Sequence, residues 1–228
     1  NSKGIQRVSW DLRTISKGAI TNSNVNRSYD GAMAAPGKYQ GQLMKEIDGV
    51  LSAISEKVTF EVVPLRKGAL EGANPSEVAA FWKDVEEMYG KLTALNTTFE
   101  NAEERLALMM KAYERSPKMN PTLNQAMLDL HKKMIQLDYT LSGSKSRDEV
   151  GEKSPYPTIR DFIGAASTGT SGSTYGPTPT HQKSLSNAKK LMEDARVQVE
   201  QIRKVELPAL EKQLEALGAP WIEGQDLK

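Results

Sequence analysis

The chain has 228 residues, of which 38% are hydrophobic and 26% charged, a composition typical of a globular domain with a solvated surface. Its 30 basic and 29 acidic residues leave a net charge of +1, which provides no attraction to nucleic acid, an anionic membrane or an acidic substrate. The absence of cysteine excludes disulfides, thiolate catalysis and cysteine-bound zinc. No apolar run reaches the ~18 residues that span a bilayer, so we expect no membrane span.

Residues 1–65 are predicted to form β-structure. In the segment 4–13, Val8, Trp10 and Leu12 alternate with polar residues, which is typical of a half-buried strand. A polar loop is predicted over 14–34. Ala35-Pro36-Gly37-Lys38-Tyr39 then predicts a turn that leads into another strand.

A β-hairpin is predicted next, with arms at 39–47 and 57–63. Val58, Phe60 and Val62 alternate with polar residues in the second arm. Asp48-Gly49 is a turn signal, although the run to residue 56 predicts a longer connection. Three or four such strands bury one face only and form a poor independent core, so we expect an exposed sheet edge or face.

After a linker at 66–73, the apolar period changes to that of a helix. Asn74-Pro75-Ser76-Glu77 is a helix start, with asparagine at the N-cap and proline at the first helical position. Ser116-Pro117 ends this helix. Its apolar stripe comprises Val78, Trp82, Val85, Tyr89, Leu92, Leu95, Phe99, Ala102, Leu106, Met109 and Tyr113.

A second helix begins by the same chemistry at Asn120-Pro121 and ends at Ser142-Gly143. Its stripe alternates steps of four and three without a break: Leu123, Met127, Leu130, Met134, Leu137 and Leu141. A loop rich in Gly, Ser and Thr follows at 142–179, with a short helix predicted over 158–166.

A third long helix is predicted from about Thr178-Pro179 to Gly218. Its stripe breaks between Ile202 and Leu207, next to Pro208, where we expect a kink. Three long helices joined by turns or surface loops favour an antiparallel three-helix bundle over 74–228, with helices crossing at about 20°. The fold class is therefore α+β. A coiled-coil partner would show a similar repeat.

The residue types that carry chemistry have structural interpretations. His131 lies off the apolar stripe, so we expect it to be solvated, and His181 lies in a first helical turn, so we expect it to have a capping or surface role. Trp10 and Trp82 are predicted in the core and Trp221 as a plug against the bundle end or the β-segment. Paired carboxylates would be needed for glycoside hydrolysis, but most acidic residues fall on polar helix faces: Glu86, Glu87, Glu100, Glu103, Glu104, Asp148, Glu149 and Asp161.

Two further features are also interpreted as structural. The Gly164–Gly176 run lacks the Lys-Ser/Thr pair of a P-loop and is predicted to be a surface loop. The methionines fill helix interiors: Met88, Met109, Met110, Met127, Met134 and Met192. We therefore predict no catalytic, cofactor-binding or metal-binding residue in this chain.

Two motifs carry a resemblance to a known family. Gly4-Ile5-Gln6-Arg7-Val8-Ser9-Trp10-Asp11-Leu12-Arg13 and Ala35-Pro36-Gly37-Lys38-Tyr39 resemble strands of the C-terminal module of secreted BNR-repeat, sortilin-like β-propeller proteins, a group labelled as glycosyl hydrolases. Leu207-Pro208-Ala209-Leu210 is similar to the helical tail of that family. The resemblance implies a partial Ig/fibronectin-like antiparallel β-sandwich over 1–65, with Trp10 in its core and Pro36-Gly37 as a turn.

The resemblance also implies a role. The chain has no Asp-box repeat and hence no propeller, and the early sandwich strands are missing, so no family catalytic residue can be assigned to it. It implies a non-catalytic accessory module of an exported protein, secreted or periplasmic, whose partner is the propeller of the same parent. A homo-oligomer through the exposed sheet is a further expectation. The alternatives are a carbohydrate-binding module, or a glycoside hydrolase site between sandwich and bundle.

Overall fold

The computed structural model describes residues 4–5, 7–21, 30–65, 71–144, 147, 149–152, 156–168, 170 and 175–225. Its strands are β1 (Arg13–Ile15), β2 (Asp30–Met33), β3 (Gly37–Gly41), β4 (Met44–Ile47), β5 (Val50–Ala53) and β6 (Val58–Val62). Its helices are α1 (Pro75–Glu114), α2 (Pro121–Leu141), α3 (Ile159–Thr168), α4 (Pro179–Gln201) and α5 (Leu207–Ala216), with a π-helical turn at Ile202–Glu206. The α+β class is confirmed.

The helix starts lie where the capping residues predict them. Asn74 Oδ1 accepts from the N–H of Ser76, and Asn120 Oδ1 accepts from the N–H groups of Thr122 and Leu123. Each bond satisfies a first-turn donor that has no partner inside the helix. The predicted stripe of α2 is buried at every position from Leu123 to Leu141.

One core cluster joins all five helices. In the first turns of α1, Phe81 and Val85 are buried, whereas Val78, Trp82 and Tyr89 are only partly buried, so the stripe there is rotated from the predicted one. The short helix α3 adds Ile159, Ile163 and Ala166 to the core, each fully buried. The core of the helical unit therefore includes this short helix in addition to the three long ones.

At the position of the expected kink, next to Pro208, the helix contains a π-helical turn. The N–H of Leu207 donates to the carbonyl of Ile202, five residues back, and helical structure continues from Pro179 to Ala216. The extra residue in this turn absorbs the five-residue step in the apolar stripe, so Ile202 and Leu207 are both buried. Pro208 lies in the first turn of α5, where its missing donor is least costly.

The predicted strand over 4–13 is wrong. The described residues before Arg13 are irregular, and Val8 is almost fully exposed. Leu12 has a φ of +62°, and the Asp11 carboxylate accepts from the N–H of Arg13 at 2.9 Å. This local bond turns the chain and ends any extended run. The predicted polar loop at 14–34 instead contains parts of β1 and β2, which pair antiparallel.

The hairpin is longer and its turn tighter than predicted. Asp48 and Gly49 have φ values of +50° and +77°, as a two-residue type I′ turn requires. β4 pairs with β5 directly beside this turn, and β3 pairs with β6 beyond a break at 42–43 and 54–57. The run to residue 56, predicted to be a connection, is thus largely the strand β5.

The described strands make three antiparallel two-stranded pairings. The linker at 66–73 is described only from residue 71 onward. An Ig-like sandwich remains a prediction, since the strands described here form short pairs without a facing sheet. A bundle of three helices also remains a prediction.

The α2 cap provides a test of this local chemistry. Asn120→Ala removes the acceptor for two N–H groups and is expected to lower the free energy of unfolding by about 1 kcal/mol. Asn101→Ala, at an exposed position inside α1, is the matched control and should be neutral or slightly stabilising, because alanine is the better helix former. Urea unfolding measures both, and equal effects would contradict the capping role.

Candidate functional site

The most distinctive surface of the molecule is the hairpin of β3 to β6. Every residue of β4 and β5 is exposed, and β6 is exposed except at its last residue. Exposed apolar patches of this kind mark interaction sites, and an uncovered two-stranded hairpin is at best marginally stable in water. Its exposed large apolar side chains are Leu43, Met44, Ile47, Val50, Leu51, Ile54, Val58, Phe60 and, just past β6, Val63.

The half of the hairpin away from its turn has one apolar and one polar face. Tyr39 lies opposite Phe60, and the neighbouring pair, Lys38 with Glu61, lies on the other face because successive residues alternate. Trp10 packs edge-on against both rings, with centroids 5.2 Å from Tyr39 and 6.0 Å from Phe60. Trp10 was predicted to lie in a buried sandwich core. It is instead 41% exposed and belongs to a small aromatic cluster.

The half next to the turn carries exposed apolar side chains on both faces, with Glu46 on one face and Lys45 on the other. The register places Met44 and Leu51 on one face, and Ile47 and Val50 on the other. All four are about half exposed or more. A single covering layer would leave one of these faces in water, so the tip of the hairpin is suited to contacts on both sides.

The β-segment is attached to α1 by close backbone contact. A Cβ placed on Gly90 would lie 2.5 Å from the carbonyl oxygen of Lys17, so only glycine admits this approach. A Cβ on Gly31 would lie 2.5 Å from the carbonyl oxygen of Thr14, so the backbones of β1 and β2 also approach each other closely. Ala32 is buried here.

Glu86 completes this attachment, one helical turn before Gly90. The backbones of Lys17 and Ala32 and the side chain of Arg13 all lie near its carboxylate. Burial raises the pKa of Glu86 above its usual value, and these three groups oppose that shift. Glu86 was predicted to lie on a solvated face. It is instead partly buried where α1 contacts the β-segment.

The other acidic residues of the prediction have structural or surface roles. Glu87 pairs with Lys91 at 2.7 Å, and this partner lowers the pKa of its carboxyl. Asp161 accepts from the N–H and hydroxyl of Thr158 at the start of α3. Glu100, Glu104 and Glu149 are exposed, Glu103 is partly buried, and Asp148 lies outside the described residues.

The histidines lie as expected. His131 is exposed. His181 forms a capping box with Thr178: its Nδ1 accepts from the N–H of Thr178 at 3.2 Å, and its own N–H donates to the Thr178 hydroxyl. Both interpretations from the sequence are confirmed.

The tryptophan predictions hold only in part. Trp82 is partly buried against the helical core. Trp221 is 65% exposed and the next residue, Ile222, is buried in its place. The predicted plug at the bundle end is therefore Ile222. The chain after α5 is irregular, so it has no period from which the buried residue could be predicted.

The remaining predicted features add no chemical site. Gly164–Thr168 belongs to α3, and much of the loop that follows lies outside the described residues. Met110 is partly buried, and the other helix methionines are buried. The described part of the chain contains no group of three His, Asp or Glu that could bind a metal. None of the helices described here has the length and apolar character needed to cross a bilayer.

A groove of about 860 Å³ runs between α1 and α4. Buried Met88, Leu95, Met192 and Val199 form its floor. Ion pairs line its rim, including Lys189 with Asp84 and Arg196 with Glu193. Because most of the charged side chains at this rim pair with one another, the groove offers little charge that would select a ligand.

Comparison with known proteins found no matching family model, no similar curated protein and no similar solved structure. The candidate site therefore stands on its own geometry: an exposed hairpin with apolar side chains on both faces, which follows a segment that contacts α1 at Gly90 and Glu86.

Proposed function

We propose that this chain is a non-catalytic accessory module of an exported β-propeller protein, and that the hairpin is the surface on which the propeller packs. The observation that carries the proposal is the exposure of the apolar side chains on both faces of β4 and β5. Covering one such side chain contributes roughly 1.5–3 kcal/mol. The helical unit would then act as a rigid base that holds the hairpin in position.

The resemblance of the segments 4–13 and 35–39 to strands of a sandwich next to a propeller supports the same partner. In that arrangement the described strands would belong to a partial Ig/fibronectin-like sandwich, and α1, α2 and the α4–α5 helix to a bundle. A secreted or periplasmic location goes with this proposal.

The carbohydrate-binding alternative rests on the exposed part of the aromatic cluster. Sugar rings stack on open aromatic faces, but here Trp10 stands edge-on over the Tyr39 and Phe60 rings. The hydrolase alternative needs a free carboxylate pair. Glu86, an acidic residue at the junction of the β-segment and the helices, faces the backbones of Lys17 and Ala32 and the side chain of Arg13. Both observations favour protein docking over sugar chemistry.

The docking proposal is tested with two matched valine substitutions. Val50 on the hairpin is 67% exposed and Val197 on α4 is 53% exposed. Val50→Lys places a charge in the proposed contact and should weaken binding to the parent's propeller, supplied as a separate polypeptide, about tenfold or more. Val197→Lys should leave binding unchanged. Isothermal titration calorimetry measures both.

The non-catalytic part is tested by activity. The chain should not hydrolyse aryl-glycosides or polysaccharides. Turnover that a single Glu or Asp substitution abolishes would contradict this part, and propeller binding that is indifferent to Val50→Lys would contradict the docking part.

A further inference from the structure

The outer edge of β5 is an open strand edge without protection. Val50–Ala53 pairs with β4 on one side, and within the part of the chain described here no strand pairs with its other side. Proteins usually protect such edges with charged side chains or proline. β5 has neither, whereas β4 on the opposite edge carries Lys45 and Glu46.

The turn determines which backbone groups face this edge. In an antiparallel ladder, hydrogen-bonded and non-hydrogen-bonded residue pairs alternate. Ile47 and Val50 flank the two-residue turn and form a bonded pair. In the same phase, the N–H of Ile54 donates to the carbonyl of Leu43 at 3.0 Å. The N–H and C=O groups of Leu51 and Ala53 therefore point outward, away from β4.

We propose that the β5 edge pairs antiparallel with the β5 edge of a second copy of this chain, about a two-fold axis. The product is a four-stranded sheet in which β4 and β5 of one protomer continue into β5 and β4 of its partner. This inference goes beyond the propeller-docking proposal, because it uses the backbone edge of the hairpin and not its apolar faces.

Symmetry allows a register that suits the β5 side chains. Opposing residues in a sheet share a face, so a two-fold axis normal to the sheet must pass between two copies of the same residue. With the axis at Ser52, Leu51 lies opposite the partner's Ala53, and both belong to hydrogen-bonded pairs. Val50 then lies opposite the partner's Ile54, and within the paired residues 50–54 no charged side chain lies opposite another.

The same symmetry disfavours the β4 edge. An axis at Glu46 places that carboxylate opposite its own copy, and an axis at Lys45 does the same for the ammonium group. Like charges directly opposite each other destabilise a sheet. The pairing at β5 also gives each hairpin two more strands, and sheets of three or more strands with an apolar face are stable where a lone hairpin is marginal.

The test uses proline at two positions that face each other across the hairpin. Ala53 and Met44 are opposite in the register, and both N–H groups point outward, toward opposite edges. Ala53→Pro removes the outward donor at β5 with little change in apolar surface, and Met44→Pro removes the one at β4. Sedimentation velocity at about 100 µM should show dimers for the unmodified chain and Met44→Pro, with dimerisation of Ala53→Pro weakened about tenfold or more.

Amide hydrogen exchange provides an independent readout on the unmodified chain. In the dimer the N–H of Leu51 should be protected, whereas the N–H of Glu46, opposite it in the register, should exchange freely. A monomer at this concentration, an Ala53→Pro variant that dimerises as well as the unmodified chain, or equal protection of the two N–H groups would overturn the proposal. None of these outcomes bears on propeller binding, which Val50→Lys tests separately.

Discussion

Leu130→Ala is expected to lower the free energy of unfolding by about 2–5 kcal/mol, the range for large-to-small changes in a packed core. Leu130 lies in the unbroken α2 stripe, is only 5% exposed and belongs to the core cluster that joins the helices. Removing its side chain loses apolar burial and leaves a cavity that the surrounding helices can only partly fill. Urea unfolding followed by circular dichroism measures the effect.

The matched control is the next residue. His131 is exposed and lies off the stripe, so His131→Ala should change the free energy of unfolding by well under about 1 kcal/mol. Because both changes lie on one helix, the contrast measures which face is buried and not helix propensity. Equal effects would contradict the core described here.

Gly90→Ala is expected to separate the β-segment from α1. The added methyl would lie 2.5 Å from the carbonyl oxygen of Lys17, and backbone there cannot yield without moving the chain. Overpacking of this kind costs about 1–3 kcal/mol. The expected result is loss of amide protection in β2 and faster proteolysis before residue 37, with the core of α2 intact.

Gly164→Ala is the control for this experiment. Gly164 is also helical, but a Cβ there has no atom within 4 Å. Alanine should stabilise α3 by about 0.4–1 kcal/mol through the lower entropy of the unfolded chain. If Gly90→Ala behaved in the same way, the close approach of the segment at Lys17 to α1 would be wrong.

The helices were predictable because their signals are local. Asn74-Pro75 and Asn120-Pro121 set the starts of α1 and α2, and the period of α2 identified its buried residues without error. The π-helical turn was visible as a five-residue step in the stripe from Ile202 to Leu207, but proline chemistry made a kink the more obvious interpretation. Whether an extra residue is absorbed by a kink or by a wider turn depends on packing at both ends of the helix.

The β-segment was predictable only in part, because strand signals depend on distant partners. The alternation at 8, 10 and 12 resembles a strand, yet the bond between Asp11 and Arg13 turns the chain there. Asp48-Gly49 did predict the tight turn, but the run to residue 56 was predicted to be a longer connection, which concealed the extent of the hairpin. The local sequence gave no sign of the role of Glu86 and Gly90, because both lie against Lys17, which is distant from them in the sequence.

The most direct test of the central claim is hydrogen–deuterium exchange of the hairpin, measured by mass spectrometry at about 1 µM, where weak dimers dissociate. Peptides covering 37–62 should exchange far faster than those covering α2 in the chain alone, and should become protected when the propeller is added. Hairpin peptides as protected as α2 in the dilute chain alone would contradict the account, because the helices would then already cover the surface on which docking depends.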